Sequence, residues 1–375
     1  MKGEDWVCWF TTENPAAVKD PVTPLTMSGN STSSNKSCLA IEGFLWLIEY
    51  QPIYMWFIFI LGFIENAFVI SVYLLHKSRC TVAEIYLGNM AAADLVFVSG
   101  LPFWAIYISR GFSWQFGDFL CVAVNTLIML NLFASIYFLL MVSIDRYLAL
   151  VKTMSAGRMR RPWWAKVICA MIWTFALVVS LPKIIFRKVN FVSELNITAC
   201  ILDPPSNEWN IVNNIFLNVI GFLIPVIVIG FCSFQIVNVL RNNTMQKFKE
   251  INNEKRATLL VLSVLLVFIA CWLPFQISTF IDTLMHLNVL HKCSVEQPNE
   301  IFNQISTYIG FSNSCINPFL YVIVGNNFRK KALEVYHPLV PARFRTRRSS
   351  VQTNYSMDTT QSSFYLDRQK KKSIS

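Results

Sequence analysis

The sequence predicts an all-α membrane protein, a seven-transmembrane helix bundle followed by a short amphipathic eighth helix. Three observations carry this. Hydrophobic residues make up 54% of the 375 and charged residues only 14%, with a mean hydropathy of +0.45, which is too apolar for a soluble domain. The apolar residues gather into seven segments, at about 53–75, 84–108, 119–151, 163–186, 211–240, 257–284 and 301–324. At about 1.5 Å per residue each can cross a hydrocarbon core of about 30 Å. Finally, Lys and Arg concentrate in alternate connections (His76–Arg79, Lys152–Arg161, Arg241–Arg256) and acids in the others. That asymmetry reads the net charge of +10 as membrane topology rather than nucleic-acid binding.

Residues 1–52 form a polar tail with Pro15, Pro21 and Pro24, and Met1–Phe10 lacks the apolar stretch of a signal peptide. The first membrane segment is therefore expected to carry the tail outside. Asn30, Asn35 and Asn196 begin glycosylation sequons on segments expected outside, whereas the sequons at Asn242 and Asn354 fall inside. Residues 53–324 hold the seven spans, and their odd number puts the C-terminus inside. No internal repeat of the transporter kind is visible. Residues 325–337 interleave Phe328, Leu333 and Val335 with Arg329, Lys330 and Lys331, the pattern of a helix lying on a membrane surface. Residues 338–375 are basic and rich in Ser and Thr, the composition of a disordered tail. Five of the ten cysteines (Cys8, Cys38, Cys121, Cys200, Cys293) fall on outer segments, where disulfides form; the odd number leaves one over, with Cys8 the candidate.

Each span carries a polar or conformationally unusual residue. Glu65 and Asn66 lie in the first, Asp94 in the second, Trp173 in the fourth, and Asn218 and Pro225 in the fifth. The sixth contains Cys271-Trp272-Leu273-Pro274, and the seventh runs Asn313-Ser314-Cys315-Ile316-Asn317-Pro318-Phe319-Leu320-Tyr321. In the third, Asn131, Ser135 and Arg146 fall on one stripe, because Arg146 returns to within about 20° of Ser135 at 100° per residue. Such a stripe must face protein; it either holds the helix to its neighbours or carries function. Pro225, Pro274 and Pro318 mark helices able to bend. His76, His286, His291 and His337 all lie outside the spans and no nucleophile–base–acid set is visible, so an enzyme is not expected.

These signatures in this order (Asn66, Asp94, Asp145-Arg146-Tyr147, Trp173, Pro225, Cys271-Trp-x-Pro274, Asn317-Pro-x-x-Tyr321) resemble the rhodopsin-like, class A, G-protein-coupled receptors over residues 53–337. More narrowly, the stretches Ser78–Asn89, Ser143–Ser155, Leu240–Asn243, Met245–Ile251 and Cys271–Asp282 look like the bradykinin receptors, the type-2 branch in particular.

The resemblance implies a sodium site at Asp94, Asn131, Ser135, Asn313 and Asn317, the alternative being a neutral, hydrogen-bonded Asp94. It implies a switch in which Asp145, Arg146 and Tyr147 rest with Arg146 on Glu254, and Pro318 and Tyr321 belong to the same machinery. Ile136, Pro225 and Phe268 match the family's connector and Trp272 the base of its pocket; plain packing is the other reading of Phe268 and Trp272. Arg146 and Met154 would meet a G protein. The family pairs Cys121 with Cys200, and the bradykinin pattern adds Cys38 with Cys293. The implied ligand is a kinin with an arginine at each end. Asp282 and Glu300 would meet its N-terminal arginine and Arg187 its C-terminal carboxylate. Trp104, Phe275, Gln276, Thr279 and Gln304 would line the pocket. Met129 stands where the type-1 branch has a lysine, which implies preference for the full-length peptide. Glu296 and Lys188 read equally as solvated surface.

The resemblance further implies Gq-class coupling to phospholipase C and calcium release. Phosphorylation by receptor kinases at Ser349, Ser350, Thr353, Ser356, Thr359, Thr360, Ser362 and Ser363 would recruit arrestin; a solvated linker is the alternative. Three departures stand out. Ser233 replaces the usual fifth-span tyrosine, Phe311 replaces an expected tyrosine, and no cysteine follows Tyr336 to take a lipid anchor. A receptor for another short peptide, angiotensin- or chemokine-like, is the second reading, with a non-signalling peptide scavenger and a transporter or channel behind it.

Overall fold

A computed structural model describes residues 34–152, 161–193, 196–206, 208–242, 248–290 and 292–337, without the side chains of 34–48, 240, 242–257, 292–294, 297 and 326. Six described helical runs are long and apolar enough to cross a membrane: Glu49–Leu75, Val82–Ser109, Gly117–Leu150, Pro162–Phe186, Glu208–Val239 and Thr258–His286. They are called the first to sixth spans below. The seventh, Lys292–Ile323, has the length at 32 residues but a more polar composition. Its polar residues explain that, because they turn inward: Ser306, Asn313, Ser314 and Asn317 are all buried. The lipid-facing surface is correspondingly apolar, with Phe57, Ile64, Leu74 and Leu266 exposed.

Chain contacts divide the molecule into a unit through Lys331 and a second from Ala332. The described part of the second is the end of the helix Asn326–Tyr336, with His337 after it.

Helix ends and breaks follow local chemistry. The first helix begins at Ser34, upstream of the expected residue 53, and continues through Pro52. The second span opens on a capping box: the Thr81 hydroxyl accepts from the Glu84 N–H at 3.3 Å while the Glu84 carboxylate accepts from the Thr81 N–H at 2.8 Å. That reciprocal pair moves the start to Val82 from the expected 84. The span is not continuous; Val82–Val98 and Leu101–Ser109 meet at Ser99-Gly100, before Pro102. The fourth breaks similarly at Ser180, before Pro182. In both places proline, lacking an N–H, opens a new helix at its first turn. Pro225 acts differently: the fifth span widens into a π turn over Val219–Leu223 and resumes as α-helix at Ile224. Pro274 and Pro318 lie within continuous helices.

Among the described residues, the departure from an all-α chain is an antiparallel hairpin, Arg187–Val192 (β1) with Ile197–Leu202 (β2), registering Arg187 opposite Leu202. Valine and isoleucine at Val189, Val192, Ile197 and Ile201 suit a strand, and Asn196 closes the turn at a φ of 52°. A disulfide and hydrogen bonds hold the hairpin to the bundle. Cys200 is disulfide-bonded to Cys121 at the start of the third span. The Val189 N–H donates to the Asp118 carboxylate at 2.9 Å, and the Trp114 N–H to the Thr198 carbonyl at 2.7 Å.

Inside the bundle, single polar groups fix helix pairs. Asn66 Nδ2 donates to the carbonyls of Gly62 and Ser314, both at 2.9 Å, joining the first and seventh spans. Trp173 Nε1 donates to Asn89 Oδ1 at 3.0 Å, joining the fourth and second. Gly62 allows the close approach that the Asn66 bonds need, because a Cβ there would lie 3.0 Å from both Cys315 Sγ and Val98 Cγ1.

Candidate functional site

The end of the bundle that carries the hairpin opens into a cavity of about 470 Å³, walled by all seven spans and both strands. That volume suits a drug-sized ligand or one end of a peptide. Of the nine residues expected to meet the ligand, eight reach this wall: Trp104, Met129, Arg187, Phe275, Thr279, Asp282, Glu300 and Gln304. Gln276 does not. It is buried beside the cavity, and neither Nε2 nor Oε1 of its carboxamide has a hydrogen-bond partner. One turn of helix separates it from Thr279, which does face the cavity and whose hydroxyl donates to the Gln276 carbonyl at 3.0 Å.

The cavity has a chemical gradient along the seventh span. Glu296 and Glu300 lie at its start, Gln304 and Tyr308 follow at four-residue spacing, and Phe311 lies deepest along the helix. Across from them Asp282 is held in place: Asn214 Nδ2 donates to its Oδ2 at 2.7 Å, and His286 Nε2 lies 3.5 Å from the same oxygen. Arg187 donates through Nη1 to the Cys200 carbonyl at 3.2 Å, which orients its guanidinium beside the disulfide. Lys188 pairs instead with Asp203 on the exposed hairpin surface, where an ion pair contributes little.

Sequence reasoning passed over Gln51, Asn214 and Tyr308. Gln51 Nε2 donates to Gln304 Oε1 at 3.2 Å and also bonds the Tyr308 hydroxyl. Tyr308 lies one turn before Phe311, the position where a tyrosine was expected, so the phenol is present but displaced by a turn. Trp272 closes the floor. Its indole packs on Gly310, where a Cβ would come within 2.9 Å of the ring, and on Phe275 at 5.9 Å between centroids.

Beneath the floor lies a polar core centred on the fully buried Asp94. Its Oδ1 accepts from Asn131 Nδ2 at 2.7 Å, Ser314 Oγ at 2.9 Å and Ser135 Oγ at 3.2 Å; Oδ2 accepts from Asn317 Nδ2 at 3.2 Å. Four donors on one carboxylate is what a buried charge requires, because an unpaired one costs several kcal/mol. The sequence did not single out Ser314 for this site; its hydroxyl joins the carboxylate because Ser314 shares a helix face with Asn317 three residues on. Asn313 and Asn317 each keep an unpartnered buried carbonyl oxygen. Hard oxygen donors around a carboxylate fit a small alkali cation, provided that the Asn131 and Asn317 amides turn their oxygens inward. Among the described residues, no three His, Cys, Asp or Glu gather to hold a metal.

Between floor and far end, Ile136 is completely buried, and Phe268 stacks on Phe222 with centroids 6.0 Å apart and 6.4 Å from Trp272. Phe222 comes from the π turn that precedes Pro225. At the far end Arg146 Nη2 lies 3.3 Å from Asp145 Oδ2, and the Tyr147 ring meets Phe231 at 6.1 Å. Ser233 is buried with its hydroxyl unpartnered. Tyr321, after Pro318, is buried with its hydroxyl unpartnered and its ring 6.3 Å from Phe328. Phe328 also packs on Phe68 and Tyr73, and Lys331 Nζ pairs with the Glu84 carboxylate at 2.8 Å.

Several sites named from the sequence lie outside the described residues: Asn30, Met154 and the tail cluster from Ser349 to Ser363. Asn35, Cys38, Glu254 and Cys293 are described in backbone only. Asn196 is exposed in the hairpin turn.

Comparison with known proteins places this geometry. The family described as "7 transmembrane receptor (rhodopsin family)" matches residues 65–321. The B2 bradykinin receptor of Homo sapiens is 53% identical over 342 residues, covering 91% of this chain and 87% of the relative. That of Oryctolagus cuniculus is 52% identical over 341 residues, covering 90% and 93%. The B1 bradykinin receptor of Tupaia minor is 40% identical over 323 residues, covering 85% and 92%.

Proposed function

Since the chain belongs to the rhodopsin family of seven-transmembrane receptors, and within it to the bradykinin receptors, we propose that it binds a kinin peptide on the cell surface and signals through a Gq-class G protein. It is a multi-pass membrane receptor and not an enzyme. The observation that carries the ligand reading is the cavity itself, acidic at Asp282, Glu296 and Glu300 and amide- and aromatic-lined below. Three carboxylates against the cations Lys183 and Arg187 leave the mouth acidic on balance, which concentrates cationic ligands. A peptide with an arginine at each end would place its N-terminal guanidinium between Asp282 and Glu300 and its C-terminal carboxylate by Arg187. The tail 1–52 then lies outside the cell.

The mechanism runs down the third, sixth and seventh spans. Ligand pressing on Trp272 shifts a ring packed against Gly310 and Phe275, and through Phe268 the stack against Phe222. The sixth span bends at Pro274 and swings its far end away. That frees Arg146 from Glu254 and opens a cleft for the G protein, with Met154 in the second inner loop completing the contact. Asp94, Asn131, Ser135, Asn313 and Asn317 would hold a sodium ion, whose charge would balance the buried carboxylate and favour the resting arrangement of the core. Phosphorylation of the Ser/Thr tail cluster by receptor kinases would then recruit arrestin.

Calcium flux in transfected cells tests the reading against a panel of kinin, angiotensin and chemokine ligands. The expected result is a response to the full-length kinin at the lowest concentration, blocked by a phospholipase C inhibitor. A preferential response to an angiotensin or chemokine overturns the ligand; high-affinity kinin binding without any G-protein activation points to a scavenger.

A further inference from the structure

The mouth of the cavity holds a titratable group that the ligand reading leaves idle. His286 sits one turn beyond Asp282, faces the same cavity, and brings Nε2 to 3.5 Å from Asp282 Oδ2. Its side chain is about a fifth exposed, at 22%, so protons reach it from the outer solution. We infer that His286 governs how strongly Asp282 holds the cationic end of a ligand, and makes that hold weaken as the outer medium turns acidic. The inference rests on the proposed kinin reading, in which Asp282 receives the peptide's N-terminal arginine.

Asn214 Nδ2 and His286 Nε2 both address Oδ2 of Asp282. Asn214 is neutral at any pH and only orients the group. His286 differs, because imidazole is the one side chain whose ordinary titration falls between pH 5 and 8. Neutral, it leaves Asp282 its full charge. Protonated, it places a positive charge within ion-pair distance and competes with the incoming guanidinium both for charge and for the same oxygen.

The surroundings decide whether this change is felt. On the sixth span itself the charged neighbour is Asp282. From the fifth span, the residues on the cavity wall are the neutral Asn210, Asn213 and Asn214. From the seventh come Glu296 and Glu300, and from the fourth span and β1 the cations Lys183 and Arg187. The carboxylates favour proton uptake by the imidazole and the two cations oppose it; both sets are on the cavity wall, and Asp282 Oδ2 lies within ion-pair distance of His286 Nε2. A neutral-to-charged change at His286 therefore falls first on Asp282. The other binding-site groups named here do not change charge with an ordinary imidazole titration, so the loss of affinity should follow His286 alone.

The experiment is equilibrium binding of radiolabelled full-length kinin to receptor membranes at pH 7.4 and pH 6.0. The unmodified receptor, His286→Gln and Asp282→Asn are compared, together with a kinin whose N-terminal arginine is replaced by citrulline. The unmodified receptor should lose roughly three- to tenfold in affinity on acidification. His286→Gln, which keeps a donor but cannot be protonated, should lose less than about twofold over the same interval, whatever its affinity at pH 7.4. The citrulline peptide, isosteric but uncharged at that end, should bind the unmodified receptor with little pH dependence, and so should the kinin with Asp282→Asn. Equal pH dependence in the unmodified receptor and His286→Gln overturns the inference, as does undiminished dependence with the citrulline peptide. Failure of kinin to bind at pH 7.4 overturns the kinin reading instead, and the inference with it.

Discussion

Asp94 shows how a single residue can be read and misread. A carboxylate mid-span, with Asn131 and Ser135 one turn apart on the next helix, is rare enough in an apolar chain to mark a site from sequence alone. Ser314 is not. Serine in a helix ordinarily returns its hydroxyl to a carbonyl one turn back, as Ser99, Ser143 and Ser180 do here, so nothing in its identity shows that it will reach Asp94 instead. Two outcomes follow at this scale. Replacing choline by sodium in the binding buffer should lower agonist affinity about fivefold in the unmodified receptor and leave Asp94→Asn unaffected; Ser314→Ala should fall between them. Met129 is buried on the cavity wall. A lysine there adds a cation near the ligand's C-terminal end. Met129→Lys should therefore narrow the preference for full-length kinin over the peptide lacking its last arginine, measured by competition binding.

At the scale of elements, turn chemistry was legible and its consequences only partly so. The apolar runs located every span, but helix breaks fell at Gly100 before Pro102 and at Ser180 before Pro182, whereas Pro274 and Pro318 stayed inside continuous helices. Whether a proline breaks or merely bends a helix depends on what packs beside the freed carbonyl, which sequence does not carry. The hairpin escaped for a related reason. Its strands are short and half exposed, and the ties that hold it, Asp118, Trp114 and Cys121, lie far away in the chain. The turn before the second span offers a direct test. Cys80 is only half-buried, but burial and the Glu84 carboxylate push its thiol pKa up, while Lys331 pulls it down. Glu84→Gln removes the charge that favours the thiol and releases Lys331, so more thiolate forms at pH 7.4. Maleimide labelling of Cys80 in permeabilised membranes should speed up several-fold. The same variant should lower thermal stability more than Thr81→Ala, which forfeits a cap worth about 1 kcal/mol and leaves the ion pair intact.

On the scale of the whole molecule, the two halves of the site differ in how far the sequence reached them. Trp272 and Phe268 were marked by the family resemblance, but the partner stacked on Phe268 is Phe222, an aromatic in an apolar run with no distinguishing neighbour. Gly310 is the narrowest point of that train. Gly310→Val would drive a side chain into the Trp272 indole, so basal signalling and agonist efficacy should both change while the protein still reaches the cell surface; an inositol phosphate assay with surface labelling separates the two.

The hairpin is fastened by a disulfide, by Asp118 and by Trp114, so this part of the rim should need little rearrangement when a ligand binds. Little of the ordering on association then falls to the receptor; nearly all of it is borne by the peptide, which loses its own freedom on entry. Ligand stiffness becomes a design variable in its own right. A kinin analogue held in its bound shape by a ring should dissociate more slowly than the linear peptide with the same contacts, and opening the Cys121–Cys200 bond should erase much of that difference, as read from dissociation rates on intact cells.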